Sequence, residues 1–165
     1  MKTQLYRIEG SWLGRLAIVP RPRGVDWLED EIQAWRRAGL EVVVSLLNAE
    51  EETDLNLTAE ADLSRANGLL FVSLPLVDRS VPESLLAFTE QLAQLVELLA
   101  QGKNIGVHCR QGIGRAALVV IGLLIFSGLD VPVAIERVSS ARGCAVPETP
   151  EQRQFLFAFA EAVQT

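Results

Sequence analysis

Three short apolar runs, separated by segments with helical periodicity, constrain the fold of this chain most. They occupy residues 41–47 (EVVVSLL), 69–76 (LLFVSLPL) and 104–109 (NIGVHC). Apolar runs of this length are typical of buried strands, and a β-branched run such as the first indicates a strand buried on both faces. Strands that alternate with helices predict an α/β domain. We therefore expect a central, mostly parallel sheet of four to five strands, flanked by helices on both faces.

The remaining segments fit this architecture. One or two further short strands are predicted within residues 5–20, because turns at glycine interrupt that segment. Asp26 with Glu29, and Ser80 with Glu83, have the spacing of a capping box, which indicates a helix start at each place. The chain is predicted to form helices over residues 25–39, 58–66, 80–102, 116–126, 130–143 and 149–163.

Composition and charge narrow the class of protein. A chain of 165 residues predicts one domain, residues 1–165, and its formal net charge of −6 argues against broad binding to nucleic acid or to an anionic membrane. The apolar stretch 116–126 is too short to cross a bilayer, and the first residues lack the apolar core of a signal peptide. Two cysteines make no disulfide framework and favour a reducing compartment. We therefore expect a cytoplasmic protein with a local anion site.

Residues 108–115 (HCRQGIGR) indicate where that site lies. They contain the only histidine of the chain and link the third apolar run to the most apolar helix. Ligands of open α/β sheets bind at the carboxyl ends of the strands, which is where Cys109 falls. A glycine-containing loop that enters a helix directs several backbone amides at one point, and these amides favour the thiolate form of a cysteine there. Arg115, which follows the loop, can donate two hydrogen bonds to a phosphate. The pattern predicts a nucleophile aimed at phosphorus. It excludes a Walker loop, since no Gly-Lys-Ser/Thr ends it.

The same stretch resembles the HCxxGxxR signature of the cysteine-dependent protein tyrosine phosphatases. In its small size and in the late position of the motif, the chain resembles the dual-specificity branch, especially the kinase-associated phosphatase type. The resemblance implies that Cys109 attacks the phosphoryl group, that Arg115 binds it, and that His108 orders the loop and helps to keep the thiol ionised. It implies no metal and no cofactor. The loop residues it implies in substrate binding are His108, Arg110, Gln111, Gly112, Ile113 and Gly114.

The resemblance also requires an aspartate on an upstream loop, to protonate the leaving oxygen. Asp78, in the segment PLVDRSVPE, follows the second apolar run and reaches the same sheet edge as Cys109. A surface-turn aspartate is the competing interpretation. Asp54 and Asp62 are weaker candidates, because no strand delivers them. Arg79 either steers phosphate or is a solvated arginine.

Four further positions bear on the site. Gln152 resembles a glutamine that positions the hydrolytic water in some members of the family. It also has capping-box spacing from Thr149, with Pro150 at the first helical position; we favour the cap, and the two roles are compatible. Ala116 stands where the family usually has serine or threonine, so slow hydrolysis of the phosphocysteine is expected. Arg21 either contacts an acidic substrate or solvates a turn, and the same alternatives hold for Arg23.

The predicted function is hydrolysis of phosphate monoesters by a protein tyrosine or dual-specificity phosphatase. The predicted partner is a phosphorylated protein or a small phosphate ester, with neither nucleic acid nor membrane. Two alternatives stay open. Ala116 favours a phosphate-binding module that has lost turnover. A rhodanese-like sulfurtransferase also uses a loop cysteine, although the spacing of Cys109 from Arg115 and the presence of Asp78 favour phosphate.

Overall fold

The computed structural model describes residues 4–111 and 113–164. Within them, five strands form one sheet in the order β1-β2-β5-β3-β4. The β1–β2 pair is antiparallel and the other neighbouring pairs are parallel. The strands are β1 (Tyr6–Ile8), β2 (Leu16–Ile18), β3 (Val42–Ser45), β4 (Leu70–Ser73) and β5 (Ile105–His108). The helices are α1 (Leu28–Arg37), α2 (Ala49–Asp54), α3 (Glu60–Ala66), α4 (Leu85–Ala100), α5 (Gly114–Phe126), α6 (Val131–Arg142) and α7 (Pro150–Gln164).

Helices cover both faces of the sheet, which confirms the predicted α/β architecture. Helices α4 to α7 pack on one face and share a core with Val44 and Val107. Residues of α1 pack on the other face around Trp35. Helix α5 is apolar on every side because it lies between α4, α6, α7 and the sheet, and its residues 114–125 are all buried. No helix in the described part of the chain is long and apolar enough to cross a membrane.

Helix starts are where the sequence prediction was wrong. Helix α4 begins at Leu85 with Ser84 as its N-cap, whose Oγ accepts a hydrogen bond from the amide of Ala87 at 3.1 Å. The predicted Ser80 capping box does not form, because residues 80–84 lie outside the helix. Asp26 makes no cap either: it lies inside a 3₁₀ turn, Val25–Trp27, and lacks the extended backbone of an N-cap.

Two short helices follow β3. Helix α2, which the sequence analysis did not predict, starts with a capping box in which Asn48 accepts from the amide of Glu51 at 2.9 Å and Glu51 accepts from the amide of Asn48 at 3.2 Å. Helix α3 begins at Glu60, two residues later than predicted. Both helices lie after the carboxyl end of a central strand, and each contributes a buried glutamate, Glu51 and Glu60.

The parallel strands bring four connections to one edge of the sheet. These connections follow the carboxyl ends of β2, β3, β4 and β5, which are neighbours in the sheet. We call residues 74–84 the β4–α4 loop, and residues 109–113, which join β5 to α5, the motif loop. The topology therefore places the β4–α4 loop and the start of α2 beside the motif loop, although they are distant in sequence.

Candidate active site

Cys109 follows directly on β5 and is buried, with 2% of its surface exposed. It packs in the core cluster that contains α5. In the motif loop, Arg110 and Gln111 are exposed and Ile113 is half-buried, whereas Gly112 lies outside the described residues. Helix α5 begins at Gly114, so its N-terminal amides follow the cysteine after a short loop. This is the strand–loop–helix placement that the sequence predicted.

Arg115 is buried in the first turn of α5 and is held by Glu51. Nη1 and Nη2 donate to the two carboxylate oxygens of Glu51, at 2.6 and 2.8 Å, and Nη1 also donates to the carbonyl of Leu76 at 3.1 Å. The Nε–H group is buried and has no hydrogen-bond acceptor within the described residues. Because Nε and the second hydrogen of Nη2 lie on the same edge of the planar guanidinium, this edge can receive two oxygens of a tetrahedral anion.

The charges at this pair favour ionisation of both partners. Burial opposes the charged form of Arg115, but its hydrogen bonds to Glu51 and the charges of Glu51, Cys109 and Asp78 together raise its pKa above the ordinary value. The hydrogen bond from Arg115 lowers the pKa of Glu51 against the effect of burial, helped by the amide of Asn48 and the charges of Arg115 and Arg110. Arg115 is thus a fixed cation beside Cys109.

Sequence reasoning missed Glu51. It lies in an acidic stretch, and its distance from Arg115 along the chain, 64 residues, hides the pairing. One local signal was present: Asn48 and Glu51 have capping spacing directly after an apolar run, which predicts a helix start at the carboxyl edge of the sheet. That signal places the carboxylate near the site, but it does not identify its partner.

Asp78 lies in the β4–α4 loop, at the edge predicted for it. Its Oδ1 is 3.6 Å from Nε of Arg115, and its side chain is 58% exposed. It is therefore accessible to a ligand and close to the buried guanidinium. The weaker candidates are placed differently: Asp62 is 92% exposed and pairs with Arg65 on the surface of α3, and Asp54 is exposed at the end of α2.

His108 is fully buried on the side of the sheet that α1 and α3 cover. Its Nε2 lies 2.6 Å from Oε2 of Glu60, and its ring stacks on Trp35 with centroids 5.9 Å apart. Cys109 instead packs with α5 on the other face. His108 therefore fixes the end of β5 from behind the motif loop. Glu60 was also missed from the sequence. Burial raises the pKa of Glu52, the charge of Glu60 adds to this rise, and His108 partly offsets it.

Several predicted polar residues form supporting contacts. Gln152 forms the favoured capping box: its amide donates to Oγ1 of Thr149 at 3.1 Å, and its Oε1 accepts from the amide of Thr149 at 3.3 Å. Arg21 lies beside the motif loop and donates from Nε to the carbonyl of Arg110 at 2.9 Å. Ala116, the residue after Arg115 in the helix, is fully buried and has no hydroxyl.

Comparisons with solved structures identify the fold. A crystal structure of kinase associated phosphatase (KAP), with its catalytic site cysteine replaced by serine, matches with a TM-score of 0.86 and 16% identity, over 100% of this chain and 98% of that chain. Tk-PTP in its active form matches at 0.80 and 28% identity, over 98% and 99%. Human DUSP28 matches at 0.71 and 20% identity, over 99% of both chains. With the HCRQGIGR motif at the predicted junction, the class is the cysteine-dependent dual-specificity phosphatase superfamily.

The family follows from the sequence itself. The sequence model of the family described as "Polymorphic toxin system, DSP-PTPase phosphatase" matches residues 18–129, which is more than half of the chain. The chain belongs to this family. None of the curated protein sequences is a significant match to it. The matched range contains β3 to β5 and α1 to α5, and so includes Glu51, Asp78, Cys109 and Arg115.

Proposed function

We propose that the protein is an active, metal-independent phosphate monoester hydrolase of the dual-specificity type, acting on phosphorylated proteins through a phosphocysteine intermediate. The free edge of Arg115 carries the proposal. A guanidinium whose other donors are saturated by Glu51 and Leu76, and whose Nε–H is buried without an acceptor in the described residues, fits a tetrahedral oxyanion beside Cys109.

The reaction takes two displacements at phosphorus. In the first, Sγ of Cys109 attacks as the thiolate; the S–P bond forms while the P–O bond to the alcohol breaks, and Asp78 gives its proton to the leaving oxygen. In the second, water attacks phosphorus and loses a proton to Asp78, and the S–P bond breaks to release phosphate and restore the thiolate. Arg115 and the amides at the start of α5 stabilise the charge on the phosphoryl oxygens in both steps.

The substrate class rests on the comparisons. The family description, DSP-PTPase phosphatase, and the similarity to a kinase associated phosphatase support a phosphoprotein as substrate. Another structure with the same fold, PTPMT1, was solved in complex with PI(5)P, so phosphoinositides are the second class to test. The described cysteines, buried Cys109 and exposed Cys144, are thiols and not disulfide partners, which fits the reducing cytoplasm that we propose as the location.

A metal-free assay tests the proposal. Purified protein in EDTA should hydrolyse 4-nitrophenyl phosphate, and Cys109→Ser should abolish turnover while orthovanadate still binds. Acid quenching with a ³²P-labelled phosphopeptide should trap a phosphothiol adduct in the wild type and none in Cys109→Ser. Turnover that survives Cys109→Ser, or that requires added metal, would contradict the mechanism. Parallel phosphotyrosine, phosphothreonine and phosphoinositide substrates rank the classes.

One observation favours a second candidate, a phosphate-binding module with little turnover. The alcohol that usually follows the arginine would assist departure of the thiolate, and the fully buried methyl group of Ala116 cannot replace it. In this case vanadate binds and the phosphothiol adduct accumulates, but little inorganic phosphate is released. The same quench experiment separates the two candidates by the ratio of trapped adduct to released phosphate.

A further inference from the structure

The β4–α4 loop, which carries Asp78, is attached to the rest of the protein immediately after that residue. Nη1 of Arg79 lies 3.3 Å from Oε2 of Glu148, and the carbonyl of Ser80 accepts a hydrogen bond from Nε2 of Gln152 at 3.1 Å. Arg79 adopts a left-handed backbone, with φ of 58°, which non-glycine residues rarely take without supporting contacts. Two consecutive residues of the loop are thus connected to the segment that starts α7.

Gln152 uses both ends of its side chain for this attachment. Its Oε1 accepts from the amides of Glu148 and Thr149, at 3.1 and 3.3 Å, and its Nε2 reaches across to Ser80. The residue is fully buried. Its carbonyl oxygen is therefore committed to the cap of α7, and its amide nitrogen to the β4–α4 loop. These contacts favour a role in holding the loop over a role in orienting a water molecule.

Glu148 connects the same loop to the start of α5. While Oε2 pairs with Arg79, Oε1 occupies the space above Gly114, where a Cβ would collide with it. The side chain of Glu148 is 25% exposed and that of Arg79 is 63% exposed. A pair this exposed contributes little to global stability. It can still shift the balance between two positions of a local loop by about two- to fivefold.

We propose that Arg79 and Gln152 are positioning residues that hold the β4–α4 loop so that Asp78 stays beside Arg115 and Cys109. This inference rests on the proposed function, because it assigns the loop a task in proton transfer. A general acid acts only within hydrogen-bond reach of the leaving oxygen. Before Asp78 the loop is held at Leu76, whose amide donates to the carbonyl of Leu46 and whose carbonyl accepts from Arg115, but the Asp78 side chain itself is 58% exposed. Arg79, through Glu148, and Gln152 hold the loop directly after Asp78.

Two substitutions of the full chain separate this role from a structural one. Arg79→Gln removes the ion pair at an exposed position. Gln152→Glu keeps an oxygen that accepts from the amides of the cap, but removes the donor to Ser80 and sets a carboxylate against its carbonyl. Lys103→Gln is the matched control, since Lys103 forms an exposed ion pair with Glu41, at 3.7 Å, away from the motif loop. Arg79→Lys tests rescue by a conserved charge.

The measurement is kcat/KM for aryl phosphates with good and poor leaving groups, 4-nitrophenyl phosphate and phenyl phosphate, together with the affinity for vanadate. Loss of acid positioning slows the poor leaving group more, because it needs the proton most. We expect the ratio of phenyl to nitrophenyl rates to fall about two- to fivefold for Arg79→Gln. For Gln152→Glu, which loses a buried hydrogen bond, we expect it to fall about threefold to tenfold. We expect Arg79→Gln and Gln152→Glu to bind vanadate with wild-type affinity, and Lys103→Gln to keep wild-type rates. Arg79→Lys should restore most of the phenyl-to-nitrophenyl rate ratio that Arg79→Gln loses.

The outcomes distinguish the two proposals. If wild-type protein shows no turnover that depends on Cys109, the proposed function fails and the positioning role fails with it. If turnover depends on Cys109 but the leaving-group ratio is unchanged in both variants, only the positioning role is overturned. A Gln152→Glu enzyme that slows phosphothiol hydrolysis alone, with a wild-type ratio, would assign Gln152 to the attacking water instead.

Discussion

The ion pair between Glu51 and Arg115 allows a quantitative test of how the site is held. Glu51→Gln keeps the shape of the side chain and an oxygen for the amide of Asn48, so the cap of α2 survives. It removes the carboxylate that receives Nη1 and Nη2, and it places an amide NH₂ against Nη2. Arg115 is then a cation at 1% exposure without its hydrogen-bonded counterion, and the half-exposed Asp78, at 3.6 Å from Nε, is only a partial substitute.

Breaking one side of a buried pair costs about 3–5 kcal/mol. The side chain of Glu51 is 12% exposed, so some water reaches the pair, and we expect the lower end of this range, about 3 kcal/mol. For a chain of this size, that lowers the melting temperature by about 6–12 °C. Glu50→Gln is the control, because Glu50 belongs to the same first turn of α2 but is exposed.

The difference in free energy of unfolding between wild type and Glu51→Gln should depend on pH. The folded pKa of Glu51 is lowered below its ordinary value of 4.5, so its contribution is fully present above that pH and is lost as the pH falls through the folded pKa. Urea unfolding of wild type, Glu51→Gln and Glu50→Gln, followed by tryptophan fluorescence at pH 7 and at steps below pH 4.5, measures it. A difference under about 1 kcal/mol at pH 7, or one that grows on acidification, would refute the reasoning.

Three further substitutions test other parts of the site. Asp78→Ala should lower kcat by about 10²–10⁴-fold and steepen the leaving-group dependence; a near-wild-type kcat for phenyl phosphate would remove Asp78 as the acid. Ala116→Ser should speed phosphothiol hydrolysis about tenfold, the effect of one hydrogen bond to a charged group, and an unchanged rate in rapid-quench experiments would contradict it. Glu60→Ala should lower the free energy of unfolding by about 3 kcal/mol, because it leaves Nε2 of His108 buried without its partner. Urea unfolding measures the loss, and a loss as small as that of a surface substitution would show that the contact contributes little.

The architecture was predictable because it depends on local patterns. The apolar runs at 41–47, 69–76 and 104–109 contain β3, β4 and β5. The apolar helix that starts near Arg115 is buried on all sides as its composition requires. Each of these features is set by hydrophobic periodicity within a short window, and tertiary packing reinforces it.

The start of α4 was less predictable because two serines, Ser80 and Ser84, are both possible N-cap residues. Ser80 and Ser84 both precede an amphipathic run, and sequence alone favoured Ser80 through its spacing from Glu83. In the structure, the carbonyl of Ser80 is engaged by Gln152 and Ser84 caps α4. The boundary of α4 thus coincides with a contact between residues 72 positions apart, and no local pattern contains that information.

The candidate site also has a part that local sequence predicts and a part that it does not. The motif identified Cys109 and Arg115, because their chemistry depends on a strand–loop–helix junction that is continuous in sequence. The partners that hold the motif come from elsewhere in the chain, and they include two buried acids that composition alone presents as ordinary members of an acidic chain. Under the proposed function, substrate oxyanions would meet donors that are already oriented, which lowers the reorganisation needed in the transition state. The partners from other segments are Arg21 on the carbonyl of Arg110, Glu51 on Arg115, Glu60 on His108, and Gln152 on the loop of Asp78. Substitutions at these supporting positions should therefore tune rate and stability while the motif itself is intact.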